Sequence, residues 1–122
     1  MTTPQGRLGK WGKEHARRYL EGKGYKVSAT NYRSRWGEVD IIAQLGEEMV
    51  FLEAKTRRGA AFGTPEESVT ATKHHRLIAT AQDYLQKNSL ERAPWRADLV
   101  SISLDEQVKL LRLEHLENAV EE

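Results

Sequence analysis

GEVDIIAQLGEEMVFLEAKT, residues Gly37 to Thr56, is the stretch whose reading decides the fold. Two runs rich in apolar and β-branched residues, Gly37–Gln44 and Glu48–Thr56, flank Leu45-Gly46-Glu47-Glu48. A glycine at the first central position of a two-residue loop predicts a tight hairpin. Folding the two runs about Gly46-Glu47 sets Val39 opposite Ala54, Ile41 opposite Leu52 and Ala43 opposite Val50, a wholly apolar face. The other face sets Gln44 opposite Met49, Ile42 opposite Phe51, Asp40 opposite Glu53 and Glu38 opposite Lys55. A slip of one residue would send every side chain to the wrong face, so the apolar face specifies the register.

The second face ends in three carboxylates and an ammonium. Directly opposed like charges destabilise a strand pair, so Asp40 facing Glu53 needs a remedy. One carboxyl can hold its proton through a raised pKa, or a divalent cation can sit between the two. Mg²⁺ suits such a pair, because it takes few protein carboxylates and fills its shell with waters or phosphate oxygens. A lysine beside the site can orient or deprotonate an attacking water, or stabilise charge in the transition state. The bland alternative is a solvated face with a Glu38–Lys55 salt bridge; Ile42 and Phe51 argue that this face is covered. Facing carboxylates predict that Asp40→Asn stabilises the metal-free fold.

Outward from the hairpin the chain alternates between two periodicities. Leu8, Gly12, His15, Ala16, Tyr19 and Leu20 form one stripe of a helix from Gly6 to Lys23, stopped by Gly22 and Gly24. Tyr25 to Asn31 alternates as a strand, and Asn31 to Trp36 reads as a basic connection. After the hairpin comes a loop, Gly59 to Gly63, then a helix start at Thr64-Pro65-Glu66-Glu67, with a break near Thr70. Leu77, Ile78, Ala81, Tyr84 and Leu85 give the clearest helical stripe. Asn88 to Pro94 is a loop, and Arg96–Leu104 and Val108–Leu113 read as two closing strands about an Asp105-Glu106 turn. The order α-β-β-β-α-β-β predicts an α/β fold with one central mixed sheet. The chain reads as one domain over 1–122, with 119–122 expected to fray.

The 122 residues suit a single core. The chain has no cysteine, which excludes disulfides, thiolate nucleophiles, iron–sulfur clusters and cysteine zinc sites. The basic start, MTTPQGRLGKWGK, is not followed by an apolar run, so neither a signal peptide nor a membrane span is expected, and a cytoplasmic location is. The net charge of +1 hides a gradient. Residues 1–35 carry nine bases against two acids, and residues 101–122 carry two bases against six acids. A basic N-terminal third suits a polyanion, although a solvated helix face would look the same.

The wider pattern resembles a known family. G-E-V-D followed by L-E-A-K across a short hairpin resembles the D…E-x-K core of the PD-(D/E)xK nuclease superfamily. The ensemble R-L-G-K-W-G, A-R-R-Y-L, K-G-Y, N-Y-R-S-R-W-G-E-V-D-I-I-A, V-F-L-E-A-K-T-R, P-E-E-S-V, K-H-H-R-L, A-Q-D-Y-L, R-A-D-L-V and H-L-E-N-A spans nearly the whole chain. It resembles the YraN-like family of small bacterial proteins, which is similar in predicted fold to archaeal Holliday-junction resolvases. The resemblance implies a restriction-endonuclease-like domain and a Mg²⁺- or Mn²⁺-dependent DNA endonuclease. It implies Asp40 and Glu53 as metal ligands with the Ala54 carbonyl as a third, Glu38 as an accessory group, and Lys55 as the catalytic lysine. Lys73 matches a family lysine suited to a phosphate contact. One residue departs from the pattern: where the family's first helix commonly reads G-E-x-x-A, the E position here is Lys13. Glu14 is adjacent, but one residue around a helix is about 100°, so it does not replace a carboxylate aimed at the metal.

Arg33 and Arg35 precede the hairpin, and Arg57 and Arg58 follow it, so all four leave the sheet at the site's end. With Arg17 of the first helix they are the candidate phosphate contacts. Tyr32 and Trp36 are candidates for stacking on unpaired bases; closing the core is the alternative for Trp36. His74 and His75 are neighbours on a helix and lack the i, i+4 spacing of metal ligands. Asp98 is expected to pair with a nearby base, and His115 shows no partner. Three readings stay open: the endonuclease, a catalytically weak or inactive nucleic-acid-binding module favoured by Lys13, and an interaction protein using the acidic C-terminal segment. Symmetric cutting of a branched substrate would need a homodimer.

Overall fold

The computed structural model describes residues 4–58, 70–107 and 109–120, with side chains of the first helix from Gly9 onward. The elements are α1 (Pro4–Gly22), β1 (Lys26–Ser34), β2 (Gly37–Leu45), β3 (Glu48–Arg58), α2 (Ala71–Lys87), β4 (Trp95–Leu104) and β5 (Leu110–Leu116). The strands form one sheet in the order β1-β2-β3-β4-β5. Only β3 and β4 pair in parallel, as expected where a helix crosses between them. The expected loop Gly59–Gly63 and helix start Thr64–Glu67 lie outside the described residues. Among the described residues no helix is long and apolar enough to cross a membrane.

The hairpin has the expected register, with Ile41 paired to Leu52, Ile42 to Phe51 and Ala43 to Val50. Gly46 takes φ 61°, the left-handed conformation that the first position of such a loop needs. The alternation then divides the core between the two faces. Ile41, Ala43, Val50 and Leu52 pack with Ala16 and Leu20 of α1. Ile42, Met49 and Phe51 pack with Leu77, Ile78, Ala81 and Leu85 of α2.

Val39 departs from the expected pattern. It was expected beside Ile41 on the α1 side, but it lies in the α2-side core. The pleat is interrupted beside it: Asn31, between the pairs Thr30–Ile41 and Tyr32–Val39, takes φ 51°. A left-handed residue within a strand breaks the strict two-residue alternation.

Three boundaries also differ. β1 continues through Ser34, so the expected basic connection is strand followed by a tight Arg35-Trp36 turn. β5 runs from Leu110 to Leu116, later than Val108–Leu113, and His115 therefore pairs with Val100. The helix expected to break near Thr70 starts there: the Thr70 hydroxyl caps α2 by accepting from the Lys73 N–H at 3.3 Å. Of the end expected to fray, Val120 is docked, only 2% exposed and with its N–H donated to the Ala97 carbonyl, and 121–122 lie outside the described residues.

Two glycines let the helices close on the sheet. A Cβ on Gly12 would lie 1.8 Å from Thr56 Oγ1, so α1 rests directly against the far part of β3. A Cβ on Gly37 would lie 3.1 Å from Arg76 Cβ, which brings α2 onto the start of β2. Both close approaches occur at the same end of the hairpin.

Candidate active site at the open end of the hairpin

The β2–β3 ladder runs from Leu45–Glu48 to Ile41–Leu52. Beyond it β2 continues beside β1 as far as Ser34–Gly37, and β3 continues beside β4 as far as Arg58–Leu104. Ala54 meets β2 through a side chain: its N–H donates to Asp40 Oδ2 at 2.8 Å. Asp40 thus sits where the two halves of the sheet part, and it lines a cavity on each side. On the α2 side, Gly37, Glu38, Asp40, Glu53, Lys73, Arg76 and Leu77 enclose about 280 Å³. On the α1 side, a groove of about 870 Å³ is lined by Lys10, Lys13, Arg17, Arg33, Glu38 and Asp40 among others.

The two central carboxylates have unequal surroundings. Asp40 Oδ1 lies 3.2 Å from the Lys13 ammonium, and Oδ2 accepts from Ala54. Among the described residues Glu53 is held by no such pair. Burial, then the Asp40 charge, pushes its carboxyl up to about 7, against the opposing pull of Lys73, Lys55 and Lys13. Asp40 and Glu53 are not paired across the ladder, which ends at Ile41–Leu52, but they line one cavity, and the Asp40 charge adds to burial in raising Glu53. This corrects the expectation for Asp40→Asn: that change removes an ion pair and a charge-assisted hydrogen bond, so the relieving substitution is Glu53→Gln.

The remaining expected residues fall as follows. Glu38 pairs with Arg33 Nε at 3.1 Å, not with Lys55. Lys55 stands exposed two residues along β3 from Glu53, where its charge still acts on that carboxyl. Ala54 meets Asp40 through its N–H. Lys73 lines the α2-side cavity, joined by Arg76, which the sequence reading did not single out. Arg17 pairs with Glu21 at 3.5 Å and lines the α1-side groove. Arg57 and Arg58 lie at the end of β3, paired with Ser103 and Leu104 of β4. Trp36 is 47% exposed, with the Arg35 guanidinium 4.4 Å above its ring, so it does not close the core. Tyr32 is half-buried, and its hydroxyl donates to Asp83 at 2.7 Å, which ties β1 to α2 and takes it out of the stacking candidates.

A buried polar cluster escaped sequence reasoning. Asp98 is fully buried and accepts from Arg96 Nε, His115 Nε2 (2.7 Å) and the Asn118 N–H (2.8 Å). Arg96 also reaches Glu48 and the Tyr25 hydroxyl, both at 2.6 Å. Asp98 thus has its expected base, and His115 has a partner after all. Every acceptor is engaged within the protein, which marks the cluster as a structural pin.

Among the described residues no three His, Asp or Glu side chains form a ready-made metal cage. Asp40 and Glu53, two carboxylates in contact with one cavity, fit a hard cation that keeps most of its shell for water and phosphate oxygens. They do not fit zinc, which takes three or four nitrogen or sulfur ligands.

The comparisons with known proteins agree with the motif pattern. The profile of the uncharacterised protein family UPF0102 matches residues 12–102. A UPF0102 protein of Dehalococcoides mccartyi is 44% identical over 114 residues, covering 93% of both chains. One from Roseiflexus castenholzii is 42% identical over 123 residues, covering 100% of this chain and 99% of its own. One from Symbiobacterium thermophilum is 46% identical over 96 residues, covering 79% and 81%. With a profile matching most of its length and relatives aligned nearly end to end, the chain belongs to the UPF0102, or YraN-like, family.

Proposed function

We propose that this protein is a metal-dependent DNA endonuclease of the PD-(D/E)xK type, with a restriction-endonuclease-like domain. The observation that carries the reading is that Asp40 and Glu53 line one cavity with Lys73 and Arg76 at the open end of the hairpin, where burial and then the Asp40 charge raise Glu53. A conflict of this kind is costly in a merely structural site and useful in one that takes a cation. Mg²⁺ or Mn²⁺, when bound, would neutralise that conflict and supply positive charge to the phosphate. Asp40 and Glu53 would hold it. Lys55 orients the attacking water and stabilises charge developing on the phosphate. Lys73 and Arg76 hold the phosphodiester from the α2 side, and Arg33, Arg35, Arg57, Arg58 and Arg17 bind the flanking backbone. In the reaction a water oxygen bonds to phosphorus, the bridging P–O bond breaks, and the proton lost by water is balanced by one gained on the leaving oxygen.

The Lys13–Asp40 ion pair favours a second reading, a nucleic-acid-binding module in which the ammonium replaces the metal permanently. Linear, nicked and four-way-junction DNA incubated with Mg²⁺, Mn²⁺ or EDTA separates the two. Metal-dependent cleavage lost in Asp40→Asn and Lys55→Ala supports the nuclease. Salt-sensitive binding without cleavage supports the module. Preference for the junction would extend the proposal to branched DNA and a homodimer.

A further inference from the structure

Lys13 has no part in the reaction just described, yet it is one of the most closely held cations at the site. Its Nζ lies 3.2 Å from Asp40 Oδ1 and 4.0 Å from Glu38 Oε1, and donates to Asn31 Oδ1 at 2.8 Å. Those three oxygens surround the ammonium much as ligands surround an ion. Neighbouring Gly12 fixes the distance, because α1 rests on Thr56 with no side chain between.

We infer that Lys13 is a built-in counter-cation that competes with the divalent metal for Asp40 and releases it when a nucleic-acid phosphate takes the ammonium. The inference rests on the metal-dependent reading of the site proposed above. Two cations on one carboxylate repel each other strongly at a partly buried position. Metal can therefore load fully only after Lys13 turns away. The α1-side groove offers the place: Lys13 lines it together with Lys10, Arg17 and Arg33, four bases against Glu14, Glu38 and Asp40, and the bases suit a phosphate backbone. A phosphate there gives the ammonium a partner of equal or greater charge. Metal and nucleic acid then bind with positive coupling, and the coupling is the same in either order.

The test is Mn²⁺ affinity by calorimetry on the full chain, with and without a phosphorothioate DNA duplex. Wild type alone is expected to bind weakly, and the duplex to tighten Mn²⁺ binding by about tenfold. Lys13→Gln is expected to bind Mn²⁺ about tenfold more tightly without the duplex and to lose most of the coupling. Lys13→Arg, which keeps the cation, should behave as wild type. The wild-type comparison needs no variant. Equal Mn²⁺ affinity for folded wild type and Lys13→Gln overturns the inference, as does a wild-type affinity indifferent to the duplex. Tighter Mn²⁺ binding by Lys13→Gln with no cleavage by any form would overturn the nuclease reading and leave the competition standing. Cleavage by wild type with no gain in Lys13→Gln affinity would do the reverse.

Discussion

Glu53→Gln should stabilise the metal-free protein at alkaline pH and leave it unchanged below about pH 4. The folded protein holds the Glu53 carboxyl at about 7, against an ordinary 4.5. A carboxyl raised in the folded state keeps its proton longer when folded. The stability this contributes is complete below pH 4.5, declines as pH rises and is gone just above 7. Each unit is worth about 1.36 kcal/mol, which sets a ceiling of ~3 kcal/mol. Glu53 is partly exposed and screened by three lysines, so we expect ~1–2 kcal/mol. Gln matches the protonated carboxyl in shape and cannot ionise, so the two proteins should coincide below about pH 4. Urea unfolding in EDTA reads this directly. With a slope of roughly 1.5 kcal/mol/M, the variant's midpoint should exceed that of wild type by about 1 M at pH 8. Adding Mg²⁺ at pH 8 should raise wild type and narrow the gap. Parallel pH profiles for wild type and Glu53→Gln between pH 5 and 8 would refute the assignment of the conflict to Glu53.

Other positions make independent tests. Asp98→Asn removes the buried charge and turns one of the two acceptor oxygens facing Arg96, His115 and the Asn118 N–H into a donor, and should cost roughly 3–5 kcal/mol; a loss under ~1 kcal/mol in thermal unfolding would show that the cluster is not a pin. Gly12→Ala forces a methyl against Thr56 and should cost ~1–3 kcal/mol, with partial recovery in the Gly12→Ala/Thr56→Ala double variant. Trp36→Ala removes an exposed ring and should change stability by less than about 0.5 kcal/mol. The same variant should weaken binding to unpaired DNA by roughly tenfold in fluorescence anisotropy; unchanged affinity would take Trp36 off the interface.

The hairpin was readable because its signals are local. Gly46 supplies the turn, and the alternation from Ile41 to Leu52 admits one register. The two helical stripes were readable for the same reason. The misses share a different cause. The Arg35-Trp36 turn lacks the Asn-Gly or Gly signal of a tight hairpin, so β1 reads as ending early. Asn31 looks like an ordinary strand or loop residue, yet it is left-handed, and Val39 across from it lies on the α2 side. Trp36 is apolar enough for a core, and its exposure depends on where α2 stops covering the sheet. His115 finds Asp98 only once β5 is aligned on β4.

The sequence by itself determined the element order and the hairpin register, because each follows from spacing within one or two adjacent strands. It also showed that a lysine stands where a first-helix carboxylate was expected. Only the tertiary structure decided which charge meets which. Lys13 reaches Asp40 because Gly12 lets α1 lie on Thr56, and Glu53 is left with the conflict because Asp40 is already paired. Charge pairing between distant elements depends on ångström-scale packing, and nothing in the local pattern of residues encodes that distance.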